Sequence, residues 1–363
     1  MDNNTKAFLE LVKAGLWEQD IQLSKYAKLD FQEIMRLADE QSVVGLVAAG
    51  LEHVVDIKLP KEVVLQFVGQ ALQLEQRNSA MNIFIAELVN AMQKKDIFTL
   101  LVKGQGIAQC YERPNWRASG DVDLFLDEFN FERASNYLSS IADSSDVSRT
   151  QIKHFSFSIN DWEVEIHGTL HSRLNDRIDH EIDAIQKITF DSTRYREWNN
   201  SGTTVFLPNE NEDVFYVFTH ILQHLFSGGI GLRQVCDWSR LLWTYRNTID
   251  IALLESRIKN MRLWSEWRVF AGLAVDYLGM PKEAMPFYDK SYSRKALRVL
   301  SYIIDVGNFG HNRDSSYISK YPSILRRIKT FLRQASDNVR LAYIFPYDST
   351  SFLFYYIKRS FSR

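Results

Sequence analysis

The stretch Arg117-Ala118-Ser119-Gly120-Asp121-Val122-Asp123-Leu124-Phe125-Leu126 sets two aspartates one residue apart inside an apolar run. A strand sends alternate side chains to opposite faces, so Val122, Leu124 and Leu126 face a core while Asp121 and Asp123 share the other side. Neighbouring carboxylates repel, and each raises the cost of ionising the other. A divalent cation resolves that conflict, because hard ions such as magnesium take carboxylate oxygens. The segment predicts a sheet strand that carries a metal site.

The hydrophobic period around this strand divides the chain into three regions. In residues 1–97 the spacing is helical: Phe8, Leu9, Leu11, Val12 and Leu16, then Ile34, Leu37 and Ala38, then a longer pattern from Pro60 through Val63, Phe67, Ala71, Ile83, Leu88 and Met92. No motif there carries chemistry, and the region reads as a helical cap or interaction surface. Residues 98–207 change period. Phe98 to Val102 reads as a buried strand ending at Lys103-Gly104, Gln105 to Tyr111 as a short helix and Phe131 to Ile141 as another. Ile152 to Ile159 and Trp162 to His167 alternate and are joined by Asn160-Asp161, a hairpin pattern; Thr203 to Leu207 adds a last strand. From residue 208 to 363 the period is helical again, with a broad apolar face from Val214 to Leu225 and breaks at Gly228, Gly229, Gly231, Gly279 and Pro281. The expected class is α+β, a small mixed-sheet core flanked by N-terminal and C-terminal helical regions.

Composition narrows the function classes. A formal net charge of -2 over 363 residues makes no bulk electrostatic case for nucleic acid. Two distant cysteines, Cys110 and Cys236, fit a reducing compartment rather than a disulfide framework. The opening MDNNTKAFLE lacks a basic stretch followed by an apolar run, and no apolar run is long enough to span a bilayer. A cytoplasmic enzyme is the expectation.

In the second hairpin strand, Glu163, Glu165 and His167 share one face. If this strand lies beside the Asp121 strand, one of its glutamates completes a three-carboxylate cluster. Such a cluster can hold two divalent ions that bridge an attacking oxygen and a phosphate.

The combination of Lys103-Gly104, Arg117-x-x-Gly120-Asp121-Val122-Asp123 and Val164-Glu165-Ile166-His167 resembles the nucleotidyltransferase superfamily of the DNA polymerase β type. More narrowly it is similar to an uncharacterised bacterial nucleotidyltransferase family with a Lys-Gly turn, an Arg-x-x-Gly-Asp-x-Asp block and a later acidic-x-His strand. The resemblance extends to the His220 helix and to Leu232-Arg233-x-x-x-Asp237. It implies Asp121, Asp123 and Glu165 as catalytic and metal ligands, with Glu165 also activating the acceptor hydroxyl. It implies Lys103, Gly104, Arg117, Gly120 and His167 around the nucleotide, with glycine letting backbone amides approach phosphate. The wider superfamily has Gly-Ser at the first turn, where this chain has Lys103-Gly104-Gln105-Gly106.

The implied reaction uses Mg2+ or Mn2+ and moves a nucleoside monophosphate from a nucleoside triphosphate to an acceptor hydroxyl. A small molecule, a sugar, a protein side chain and an RNA end all stay open as acceptor. The alternative is an inactive nucleotide-binding module whose helical regions bind a partner protein. Arg117 can contact phosphate or bridge to an aspartate, and His167 can touch the nucleotide or serve as a structural histidine. His220 and His224, four apart on one helix, read as packed or site-lining rather than zinc-binding, and Arg233 with Asp237 as an intrahelical pair. The basic run Leu325 to Arg333 and the aromatic run Phe352 to Tyr356 near Lys358 and Arg359 read as solvated and packing faces rather than a lipid or RNA surface.

Overall fold

Seven short strands pair into one mixed sheet in the computed structural model, which describes residues 1–146, 154–313 and 322–361. They are β1 (Leu100–Val102), β2 (Asp121–Phe125), β3 (Ser144–Asp146), β4 (His154–Ile159), β5 (Trp162–His167), β6 (Arg196–Asn200) and β7 (Thr203–Leu207). Their order across the sheet is β3-β4-β5-β2-β1-β7-β6. β2 lies in the interior, antiparallel to β1 and parallel to β5. An interior strand covered on both faces leaves little room for water, and Asp123 is only 4% exposed.

Helices cover the sheet on both sides. Those before it are α1 (Asn3–Trp17), α2 (Phe31–Glu40), α3 (Val44–Glu52) and α4 (Lys61–Gln93); within it are α5 (Gly104–Ala108), α6 (Glu128–Ile141) and α7 (Asp176–Asp191). After it come α8 (Glu210–Ser227), α9 (Leu232–Thr244), α10 (Ile251–Met261), α11 (Trp264–Gly272) and α12 (Ser293–Val306), followed by helices at Ser323–Ala342 and Pro346–Phe361. This is the α+β class with helical flanks.

Side-chain alternation sorts the strands into two cores. Leu101, Val122, Leu124, Val164, Ile166 and Val205 face one way and pack with Met81, Ile85 and Val89 of α4 and Phe131 and Leu138 of α6. Leu100, Val102 and Phe125 face the other way and join a larger core drawn from α1 to α3, α7 to α9 and the later helices. The long α4 serves both, through Phe67 and Ala71 at one end and Met81 to Met92 at the other. α1 and α3 approach so closely that a Cβ on Gly50 would stand 2.0 Å from the carbonyl oxygen of Leu11.

The structure refines several expectations. The 160–161 turn has positive φ at both Asn160 (49°) and Asp161 (64°), the twist that suits a two-residue hairpin. Ile152, at the start of the expected strand, lies outside the described residues. α7, β3 and β6 are elements that the sequence analysis did not predict. The apolar span 251–278 is broken where Arg262 turns left-handed (φ 53°) between α10 and α11. Within the Ser323–Ala342 helix Leu325, Ile328 and Leu332 are exposed, whereas Phe352 is buried; the side chains from Tyr355 to Arg359 lie outside the described residues. No described helix is long and apolar enough to cross a membrane.

Candidate active site

The register between strands builds the site. β2 and β5 run parallel with Asp121 opposite Glu163, Asp123 opposite Glu165 and Phe125 opposite His167, so these side chains share a face. β1 sets Val102 beside Asp123 and then ends in Lys103, whose backbone takes φ 56° and ψ -142°. Gly104 follows at φ 35° and starts α5. Two consecutive residues at positive φ make a sharp turn, costly for a lysine, that carries the chain past the carbonyl of Asp121.

A cleft of about 260 Å³ opens over this face. From the sheet side it is lined by Lys103, Gly104, Arg117, Asp121, Asp123 and Glu165. From the helical side come His220 and His224 of α8 with Arg233 and Asp237 of α9. Gly120 and His167 are not among the lining residues. His167 lies behind the cleft, where its Nε2 is 2.7 Å from Asp123 Oδ1. Gly120 has no neighbour within 4 Å of where a Cβ would stand.

The electrostatics divide the acidic residues. Burial opposes ionisation of Asp123, but the ammonium of Lys103, 3.0 Å away, and the hydrogen bond to His167 hold its carboxyl well below the usual range. The same pairing outweighs burial at Lys103 and keeps it charged. Asp121 has no hydrogen-bond or ion-pair partner among the described residues. Burial, and then the charge of Asp123, push it up to about 6. At Glu165 burial is outweighed by the hydrogen bond from His154, 3.0 Å away, and the carboxyl is lowered. Burial, reinforced by the charge on Lys103, depresses His167, His220 and His224, the last to about 4. Those three imidazoles are therefore neutral at pH 7, and the Nε2 atoms of His220 and His224 stand 3.0 Å apart.

Arg117 is committed elsewhere. Its Nε and Nη2 grip the two oxygens of Asp237 at 3.0 and 2.6 Å, and Nη1 donates to Ser119. The hydroxyl of Tyr111 donates to the same Asp237. Of the two roles open to Arg117, the bridge to an aspartate is the one formed. The expected intrahelical pair of Arg233 and Asp237 is replaced, because Asp237 is taken by Arg117 and Tyr111. Arg233 instead donates to the carbonyl of Ala118 at 2.7 Å, and its buried Nε has no partner among the described residues. The helical wall thus clamps the start of the Arg117–Gly120 loop, at Arg117 and Ala118, that leads into β2.

The chain matches the family described as uncharacterised nucleotidyltransferase over residues 27–279. It belongs to that family. Comparison with curated proteins and with solved structures gave no match. As a nucleotidyltransferase, the enzyme carries the whole of its acidic motif inside the matched span, together with α8, α9 and every residue lining the cleft except Phe309. Two further features of this nucleotidyltransferase went unrecognised in the sequence: His154, and the part that Arg233 plays at the cleft. Of the two, His154 could have been found. A two-residue hairpin loop at Asn160-Asp161 requires His154 to face His167.

Proposed function

We propose that this enzyme transfers a nucleoside monophosphate from a nucleoside triphosphate to an acceptor hydroxyl, releasing pyrophosphate, with magnesium or manganese at Asp121, Asp123 and Glu165. The observation that carries this reading is the partnerless, charge-crowded carboxylate of Asp121 beside Asp123 in a cleft that also holds Glu165. Hard oxygen donors whose negative charge Lys103 and Arg233 only partly offset suit a hard divalent cation. Such an ion, when bound, would neutralise triphosphate charge and favour deprotonation of the acceptor.

The chain's own residues supply the rest. Lys103 balances Asp123 and adds positive charge at the turn where phosphates would sit, and Arg233 adds a second cation from the opposite wall. Glu165, kept ionised by His154, can accept the proton of the acceptor hydroxyl. Arg117 acts at one remove by fixing the loop that aims Asp121.

The test is transfer of label from each α-labelled nucleoside triphosphate in the presence of Mg2+, with cell extract as the acceptor source. Transfer by the wild type that disappears in Asp121→Asn/Asp123→Asn supports the proposal. Nucleotide binding with no transfer favours the inactive binding module, and transfer retained in the double variant overturns the site.

A further inference from the structure

The sheet beside the cleft holds a second cluster that the aspartate pair leaves unexplained. His154 on β4 is the cross-strand partner of His167 on β5, diagonal to Glu165. The Nε2 atoms of His154 and His167 lie 3.0 and 3.5 Å from one and the same atom, Oε2 of Glu165. The two rings are nearly parallel, at 23°, with centroids 4.7 Å apart. One donor atom from each of the three residues lies within 4.8 Å of the other two. Asp121, Asp123 and Glu165 form no group that tight among the described residues.

The 3.0 and 3.5 Å separations match an ion's ligand shell. Two ligands each about 2.1 Å from an ion, at right angles, stand about 3.0 Å apart. Chemistry then selects the ion. Imidazole nitrogens suit zinc, iron, cobalt and nickel, while magnesium asks for oxygen. Two histidines and one carboxylate on one side of an ion, with other positions open, is a recurrent transition-metal arrangement.

We infer that His154, His167 and Glu165 form a binding site for a first-row transition-metal ion. Oδ1 of Asp123, 2.7 Å from His167 Nε2, is within reach as a fourth donor. Neither imidazole lines the cleft, and the side chain of His154 is 36% exposed, so the ion enters from the β4 side rather than past the nucleotide. The site uses Oε2 of Glu165 and leaves Oε1, which has no partner among the described residues, for the cleft. Occupancy would fix the Glu165 carboxylate toward the acceptor, which gives the ion a positioning role separate from the Asp121–Asp123 pair.

The probe is Co2+ titrated into the chelator-treated full chain without nucleotide, read by visible absorption and calorimetry, with Zn2+ and Mg2+ as competitors. One Co2+ per chain is expected, displaced by Zn2+ and not by Mg2+. His154→Ala and the milder His154→Gln should each weaken Co2+ at least about tenfold, with melting curves confirming the fold. Asp121→Asn should weaken Co2+ less than either His154 variant does. The inference is overturned if wild type binds no Co2+, if both His154 variants bind it as wild type does, or if Asp121→Asn abolishes binding. Because no nucleotide is present, failure here is separable from failure of nucleotidyl transfer.

Discussion

Arg117 and Asp237, 120 positions apart, form a two-pronged ion pair with hydrogen bonds of 3.0 and 2.6 Å, and both side chains are at most 7% exposed. The pair ties the loop entering β2 to α9, so sheet and helical wall hold Asp121 between them. Removing one partner leaves a buried charge without its counter-ion, which costs roughly 3–5 kcal/mol. Asp237→Ala should therefore lower the free energy of unfolding by that amount, read as an earlier midpoint in urea. Replacing both residues with apolar ones of similar volume should recover much of the stability.

Asp121 makes stability depend on pH. Its folded-state carboxyl is raised from 3.8 to about 6, so its contribution is fully favourable below about pH 4 and is lost as pH rises through 6. Above pH 6 the wild type carries a penalty of up to about 3 kcal/mol, which an uncharged residue does not pay. Asp121→Asn should thus melt higher than wild type near pH 8, with the advantage vanishing near pH 4. The measurement is a pair of melting curves in chelator. Equal differences at both pH values would contradict the assignment. By the same shift, Mg2+ must displace a proton below pH 6, and its affinity should fall by up to about tenfold per unit there.

Gly50 is where α3 meets α1. A Cβ there would lie 2.0 Å from a backbone oxygen, which no rotamer change relieves. Gly50→Ala should destabilise by about 1–3 kcal/mol or more, seen as an earlier unfolding midpoint.

Cys110 and Cys236 are free and buried, and burial lifts both thiols, Cys110 to about 11. A thiolate-specific reagent should label neither in the native protein and both after denaturation. Labelling of the native state would show that the α9 region opens.

What the sequence reveals depends on the distance over which a structure is decided. β2 is legible because the alternation of Asp121, Val122, Asp123 and Leu124 states its two faces locally. α7 was equally open to reading in the spacing of Ile178, Ile182 and Ile185, and was missed. β6, with the sequence Arg-Glu-Trp-Asn-Asn, has no apolar period, because as an edge strand it needs only one neighbour. Asp123 and Glu165 are brought side by side by a parallel register that no local pattern specifies. The Arg117–Asp237 pair is further still from local control, since the nearest and simplest partner for Asp237 was Arg233 on its own helix.

The core beneath the cleft joins Leu100, Val102 and Phe125 of the sheet with side chains from both ends of the chain. A fragment ending at Leu207 would keep Asp121, Asp123 and Glu165 and still strip one side of the sheet that holds them. The catalytic segment is therefore not a portable cassette. Neither helical region can be exchanged without repacking the sheet it covers and rebuilding the α8–α9 wall of the cleft.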